Sequence, residues 1–195
     1  MFGRRRDVVL ASPRLFLRLP DLNDHLEWVA LRRDGTDQLT ATEPAWAHDH
    51  FSKSAFRNRV KWAAKSFEGN KAVPLFIERR SDNVLMGAVT LDNIRTGPNK
   101  SAEIGYWLGR AHQRQGYMFE AIEAVLHFAF EQKRLSRIEA ACLPENTASR
   151  HLLEKIGFKY EGVAKAYLEI NGLWQDHVTY AALRSDRRKR SAAID

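Results

Sequence analysis

The chain has 195 residues, of which 44% are hydrophobic and 28% charged, a composition that excludes disordered, collagen-like and low-complexity proteins. This length suits one domain of ordinary size. The single cysteine, Cys142, excludes a disulfide framework and any multi-cysteine zinc or iron–sulfur site, and it is typical of a reducing compartment. Since no segment is apolar over the length of a membrane span, we expect a cytoplasmic enzyme or binding domain that does not enter a membrane.

The net charge of +7 lies largely at the two ends of the chain. Residues 1–7 contain three arginines and one aspartate, a net charge of +2, and residues 184–195 contain five basic and two acidic side chains, a net charge of +3. The stretch 8–183 therefore carries only +2. We expect a basic N-terminal arm, a single domain over 8–183 and a basic C-terminal tail. Such arms are either solvated tails or guides towards a polyanion such as RNA or the ribosome, and both interpretations stay open.

The first half of the chain predicts a strand, two helices and three further strands. Alternating apolar residues indicate a strand over 8–19, and Asp21 is a candidate cap for the helix that follows it. The apolar stripe of that helix would comprise Leu22, Leu26, Val29 and Ala30. A second helix is expected over 50–68. Residues 73–80 and 84–93 indicate a hairpin, and residues 100–108 a further strand.

The second half predicts a long helix, a short strand, a capped helix and a hairpin. The long helix begins near Gly116, and its buried stripe would comprise Met118, Ile122, Val125, Leu126, Ala129 and Phe130. A strand over 137–143 follows, and then Asn146 caps a helix that ends at Gly157. Asn171-Gly172 is a strong signal for a hairpin turn. Mixed strands with about four helices predict a single α/β (α+β) domain.

A polar loop that ends in glycine precedes the long helix and is the first candidate site. Unpaired backbone N–H groups at a helix N-terminus favour an anion, Gly116 allows close approach, and Arg114 adds positive charge. The local pattern is compatible with a pyrophosphate site, although a glycine before a helix is more often a simple helix cap. The pattern is neither a Walker loop nor a Rossmann fingerprint. A second candidate, Asn146 followed by Ser149, opens the next helix.

Together these segments resemble the acyl-CoA-binding motifs of the GNAT acetyltransferase superfamily. The family signature Gln/Arg-x-x-Gly-x-Gly/Ala resembles residues 113–118, with methionine in the last place. The family's Asn-x-x-Ala/Ser helix start resembles Asn146 and Ser149, and its Gly-Phe strand start resembles Gly157-Phe158. Residues 103–121 and the last third of the chain are most similar to the RimJ-type branch, the ribosomal-protein-alanine N-acetyltransferases. The resemblance spans residues 8–183.

This resemblance implies a twisted, mixed and mostly antiparallel sheet, splayed at its middle strands, with acetyl-CoA as co-substrate and no metal. Amides of residues 113–118 would bind the pyrophosphate, and the strand 106–108 would bind pantetheine and polarise the thioester carbonyl. The side chain of Asn146 would contact pantetheine, and Ser149 would lie near the thiol. The implied cofactor-binding residues are Tyr106, Trp107, Leu108, Gln113, Arg114, Gln115, Gly116, Tyr117, Met118, Asn146 and Ser149.

The acid and the base of the reaction follow less directly from the motifs. Many members of the family place a tyrosine general acid seven residues after the motif asparagine, where this chain has Leu153. Ser149 is therefore the candidate acid, Glu103 the candidate base and Glu43 the reserve base. A dedicated base is not required, because roughly a tenth of an α-amine with a pKa near 7.7–8.0 is already neutral at pH 7.

We expect direct transfer of an acetyl group from acetyl-CoA to the N-terminal α-amine, that of alanine, of a ribosomal protein in a ternary complex. The enzyme would be a monomer or a homodimer. Two alternatives remain: an acetyltransferase for a small amine, such as an aminoglycoside, polyamine or amino acid, and a ribosome- or RNA-associating factor with a vestigial CoA site. His48 and His50 have metal-compatible spacing without a nearby third ligand. Trp46 and Trp174 are candidates for an acceptor groove.

Overall fold

The computed structural model describes residues 8–191, with side chains described up to Arg187; the predicted arm 1–7 and residues 192–195 lie outside this range. Its strands are β1 (Val8–Ala11), β2 (Leu15–Arg18), β3 (Val73–Arg79), β4 (Leu85–Arg95), β5 (Ser101–Leu108), β6 (Arg137–Cys142), β7 (Lys159–Ile170) and β8 (Leu173–Leu183). Its α-helices are α1 (His25–Asp34), α2 (Thr36–Thr40), α3 (Lys53–Glu68), α4 (Tyr117–His127), α5 (Thr147–Ile156) and α6 (Arg184–Ser191). No helix within 8–191 is long and apolar enough to cross a bilayer.

The eight strands form one sheet in the order β1-β2-β3-β4-β5-β6-β8-β7. Every neighbouring pair is antiparallel except β5 and β6, which run parallel. That parallel pairing covers only residues 101–103 of β5 and residues 137–139 of β6. Beyond it the two strands diverge, while β4 and β8 continue to pair with their outer edges. The mixed sheet, splayed between its middle strands, is confirmed.

Helices cover both faces of the sheet, which is why β3 is buried along most of its length. Successive side chains of a strand point to opposite faces. Leu75 and Ile77 therefore join the main core with α4 and α5, whereas Phe76 packs in a second cluster with Trp28 of α1 and Phe56 of α3. The predicted buried stripe of the long helix is also confirmed, because all six of its residues are buried.

The first predicted helix corrects the sequence analysis. Asp21 does cap a turn of 3-10 helix, which leads into α1. The predicted stripe is wrong, however, because the side chains of Leu22 and Leu26 are 53% and 75% exposed, whereas Trp28 and Arg32 are buried. The helix turns its aromatic side inwards because Trp28 packs against Phe56 of α3 at 5.1 Å between ring centroids.

Two further expectations change at the ends of the domain. The single strand predicted over 8–19 is two antiparallel strands, β1 and β2, because the chain turns at Pro13. The helices number six rather than four within 8–191, since residues 36–40 are helical and the predicted C-terminal tail begins with α6. Ion pairs attach α6 to the domain: Arg187 pairs with Glu123 of α4, and Lys159 Nζ lies 2.7 Å from Asp186.

Candidate active site

A cleft of about 1320 Å³ opens where β5 and β6 diverge. One wall is formed by β6, the N-terminus of α4 and α5, and the other by α1, α3 and the loop between α2 and α3. Residues 104–108 of β5 pair with β4 on one edge, and on the other edge no strand within 8–191 pairs with them. Their backbone N–H and C=O groups on that edge therefore face the cleft and are available to a ligand.

The N-terminus of α4 lies at the cleft and carries the features of an anion site. Gly116 precedes the helix with a φ of +80°, a left-handed conformation that favours glycine, and as a glycine it has no side chain with which to cap the helix. The first N–H groups of a helix lack intrahelical partners. Arg114 also has a positive φ, +58°, so the loop bends sharply and presents its backbone at the helix end.

Arg14 is a second basic residue at this helix end, and the sequence analysis missed it. Its Nε lies 2.6 Å from Glu120 Oε2, its Nη1 donates to the carbonyl of Gln115, and its guanidinium stacks 4.5 Å from the centroid of the Tyr117 ring. Partial burial of Glu120 opposes ionisation, but hydrogen bonds from Ser12 and Arg14 lower the pKa of this carboxyl. No local pattern could reveal Arg14, because 106 residues separate it from Glu120.

The glutamines of the loop hold its shape. Gln113 Nε2 donates to the carbonyl oxygen of Leu108 at 3.1 Å and to Gln38 Oε1 at 3.0 Å. Gln115 Nε2 donates to the carbonyl oxygen of Ala111 at 2.9 Å. These side chains therefore brace the loop, and the loop would bind an anion through its backbone amides and through arginine.

Tyr106 and Ser149 meet across the cleft. The Tyr106 hydroxyl lies 2.7 Å from Ser149 Oγ. This hydrogen bond joins β5 to the first turn of α5, near the point where β5 and β6 diverge. Burial raises the pKa of the Tyr106 hydroxyl, so this group stays protonated at neutral pH. Burial likewise raises the pKa of the Cys142 thiol, and a hydrogen bond with Ser149 partly offsets this increase. Leu153 is buried in the core, as its apolar side chain requires.

Asn146 caps α5, as predicted. Its Oδ1 accepts a hydrogen bond from the Ser149 backbone N–H at 3.1 Å, which fixes Ser149 at the first turn of the helix. Asn146 is also one of the residues that line the cleft.

The two carboxylates considered as bases have different surroundings. Glu103 lines the cleft, and it accepts hydrogen bonds from Asn93 Nδ2 at 3.1 Å and from Arg95 at 3.3 Å. Both oxygens of Glu43 are engaged, because Arg32 donates to each of them and Trp46 Nε1 donates to Oε2 at 2.9 Å. Glu43 therefore serves as the partner of a buried guanidinium, and Glu103 is the more accessible carboxylate.

Aromatic side chains cover the α1–α3 wall of the cleft. Trp46 stacks on His50 with ring centroids 4.5 Å apart, and Arg32 lies over both Trp46 and Trp107. Burial and the charges of two nearby arginines lower the pKa of His50 to about 4, so its ring is neutral at pH 7. Trp46 lines the cleft as expected, whereas Trp174 lies exposed outside it. Within 8–191 no three potential ligands, His48 and His50 included, are grouped to hold a metal ion.

Comparison with known proteins identifies the family to which this chain belongs. Residues 14–159 match the family model described as "Acetyltransferase (GNAT) domain", which is most of the chain. The chain belongs to the GNAT acetyltransferase family. The resemblance drawn from the motifs is thereby confirmed, and so is the fold that it implied.

Three relatives of this GNAT acetyltransferase are similar over most of their length. Probable N-acetyltransferase YjcK of Bacillus subtilis is 33% identical and covers 91% of this chain and 98% of its own. The ribosomal protein uS5-alanine N-acetyltransferase of Escherichia coli is 29% identical over 95% of this chain and 97% of its own. The solved structure of Mycobacterium smegmatis RimJ in complex with CoA-disulfide has a TM-score of 0.83 and 28% identity, covering 92% and 89%.

Proposed function

We propose that this enzyme transfers an acetyl group from acetyl-CoA to the N-terminal α-amine of a ribosomal protein whose first residue is alanine. The observation that carries the proposal is the parting of β5 and β6 beside the uncapped N-terminus of α4. The similarity over nearly the whole chain to the uS5-alanine enzyme of E. coli supports this acceptor.

The residues around the cleft fit acetyl-CoA. An added Cβ at Gly116 would point towards the Arg14 guanidinium, 3.4 Å away, and would fill the space where a phosphate approaches the amides. The amides of residues 116–118, with Arg114 and Arg14, would hold the pyrophosphate. The free edge of Tyr106–Leu108 and the amide of Asn146 would hold pantetheine. Acetyl-CoA supplies an activated thioester, whose carbonyl oxygen the β5 amides can polarise.

We assign the role of general acid to Ser149. In our proposal the Tyr106 hydroxyl donates its hydrogen bond to Ser149 Oγ, because Tyr106 stays protonated. The Ser149 hydroxyl hydrogen, for which Cys142 Sγ is the other acceptor, can then turn towards the departing thiolate. Tyr106 does not itself touch the sulfur in this arrangement, so it is a positioning residue for Ser149.

The attacking amine needs little catalytic assistance to lose its proton. Because roughly a tenth of an α-amine is neutral at pH 7, the enzyme can bind the neutral form and gain most of its rate from orientation. We propose Glu103 as the group that accepts the proton released after attack, directly or through a water. We do not assign this role to Glu43, since the buried Arg32 donates to both its oxygens and Trp46 to one of them. The two hydrogen bonds that Glu103 accepts are long, 3.1 and 3.3 Å, and come from exposed side chains.

Acetyl-CoA turnover on a panel of acceptors tests the proposal. Peptides that differ only in their first residue, alanine, serine, threonine or methionine, are compared with polyamines and aminoglycosides. We expect turnover on the peptides, with alanine preferred. Turnover on small amines alone would replace the proposed acceptor, and binding of acetyl-CoA without any turnover would favour a ribosome-associating factor.

A further inference from the structure

An arginine on α3 lines the cleft without a carboxylate partner. Arg59 belongs to the α1–α3 wall, and its guanidinium lies 5.1 Å from the centroid of the Trp28 ring. Within residues 8–191, no carboxylate stands within ion-pair distance of Arg59. Arg59 is exposed to solvent at the cleft, and partial desolvation, followed by the charge of Arg32, lowers its pKa. An arginine nevertheless stays protonated at neutral pH.

The charges around Arg59 do not cancel its own. Arg32 is neutralised by Glu43, to which it donates two hydrogen bonds, and His50 is uncharged at pH 7. The Nε of Arg32 is buried and has no hydrogen-bond partner among the described residues, so this wall contains one more unused donor. The net positive charge of this wall therefore lies at Arg59, which lines the cleft, while the unsatisfied Arg32 Nε is buried within the wall.

This part of the cleft lies on the opposite side of β5 from the Ser149 hydroxyl. Neighbouring residues of a strand point to opposite faces, so Tyr106 reaches Ser149 while Trp107 points to the α1–α3 wall, where Arg32 lies 5.0 Å from its ring centroid. The α4 and α5 side carries the features that fit acetyl-CoA. The α1–α3 side is then the half left for the acceptor, and we call it the acceptor half.

We propose that Arg59, backed by Arg32, forms an anion-binding subsite in the acceptor half of the cleft. The preferred acceptor carries a carboxylate there, on a side chain shortly after its N-terminal residue. This choice of acceptor rests on the proposed function, whereas the subsite itself does not. A phosphate group has the same chemistry towards a guanidinium and is the second possible source of the anion.

Binding titrations test the subsite without relying on turnover. Four of the five tryptophans, Trp28, Trp46, Trp62 and Trp107, line the cleft, so intrinsic fluorescence reports on its occupancy. Alanine-initiated peptides with glutamate or glutamine at position two, three or four are titrated into the full chain, and adenosine monophosphate and inorganic phosphate form the second arm. A charge-assisted hydrogen bond predicts about tenfold tighter binding of one glutamate peptide than of its glutamine match.

The variant Arg59→Gln identifies the residue responsible. We expect it to remove the preference for glutamate and to leave the affinity for the glutamine peptide within about twofold. Arg57→Gln is the matched control, because Arg57 is exposed on the same helix and points about 200° away from Arg59. It should retain the full preference.

The outcomes separate this inference from the proposed function. Equal affinity of the wild type for glutamate and glutamine peptides, together with no Arg59-dependent binding of phosphate, would overturn the subsite even if the peptides are acetylated. Arg59-dependent binding of the phosphate compounds alone would keep the subsite and assign it to a phosphate. Anion binding without peptide turnover would contradict the proposed function and leave the subsite standing.

Discussion

The substitution Gly116→Val tests the pyrophosphate loop. The added side chain would fill the space in front of the α4 amides, and a β-branched residue is strained at a φ of +80°. We expect CoA binding to fall below detection by calorimetry while the far-UV circular dichroism spectrum stays that of the wild type.

Gly97→Val is the matched control, because a Cβ at Gly97 meets no atom within 4 Å. It should bind CoA as the wild type does. If the valine variant at position 116 does not fold, Gly116→Ala, with a smaller side chain, repeats the measurement. Unchanged CoA affinity in a folded variant at position 116 would remove the loop from the binding site.

The pair formed by Tyr106 and Ser149 predicts a specific kinetic pattern. Ser149→Ala should lower kcat about 10- to 100-fold and leave the KM for acetyl-CoA nearly unchanged, because protonation of the thiolate matters only in or after the transition state. Tyr106→Phe should also lower kcat, because Ser149 loses the 2.7 Å hydrogen bond that orients it.

A double-mutant cycle shows whether Tyr106 acts through Ser149. In the Ser149→Ala background, Tyr106→Phe should have no further effect on kcat, whereas two independent contributions would multiply. A wild-type kcat in Ser149→Ala would leave Ser149 with only a structural role.

At the scale of the elements, a buried ion-pair cluster supports the acceptor half of the cleft. Arg18 of β2 is fully buried, and it donates to Asp24, before α1, at 2.7 and 2.8 Å and to Glu78 of β3 at 2.7 Å. Asp24 also accepts from the Asp21 backbone N–H, so the same carboxylate fixes the turn that leads into α1. This cluster joins β2 and β3 to the segment that leads into α1, the helix that carries Arg32.

The substitution Arg18→Met should be strongly destabilising. It leaves the carboxylates of Asp24 and Glu78 buried without their guanidinium, which typically costs about 3–5 kcal/mol. Urea denaturation measures the loss. Arg79→Met serves as the control, since the pair of Arg79 with Asp82 is exposed and should contribute less than about 1 kcal/mol. Similar losses of unfolding free energy in both variants would show that burial of the ion pair does not determine the size of the loss.

At the scale of the whole molecule, the charge at the C-terminus predicts how the enzyme reaches its acceptor. Arg184 and Arg187 already pair with carboxylates of the domain. We therefore test the next three residues and replace Arg188, Lys189 and Arg190 by glutamine. If these residues engage ribosomal RNA, binding to ribosomal particles should weaken and its salt dependence should flatten, since each phosphate contact releases a counterion. Turnover on a free peptide should not change.

Co-sedimentation at two salt concentrations measures this effect. The control carries the same loss of three charges on the exposed face of α3, at Arg57, Lys61 and Lys65. If only the net charge of the protein mattered, both variants would bind ribosomal particles more weakly than the wild type and to the same degree. Equal sedimentation of the wild type and the C-terminal variant at low salt would show that this segment does not guide the enzyme.

Some features of this protein are encoded within a few neighbouring residues, and the sequence alone determined them. Asn146 as a helix cap, Gly116 at the start of α4 and the Asn171-Gly172 hairpin each depend on backbone conformations that one residue type favours. The buried stripe of α4 follows from helical periodicity, which is also a local property. The acyl-CoA-binding motifs are also short local patterns, and the family resemblance that they carry was sufficient to predict the splayed sheet.

The features that only the tertiary structure decided join residues far apart in the chain. Arg14 and Glu120 are 106 residues apart, Arg18 and Glu78 are 60 apart, and Tyr106 and Ser149 are 43 apart. The misassigned stripe of α1 has the same origin, since the aromatic residues of α3 and the loop before it select the buried side of the helix. Local periodicity carries no information about which distant side chain will neutralise a charge or fill a space. That choice is made only when the sheet and its helices pack together.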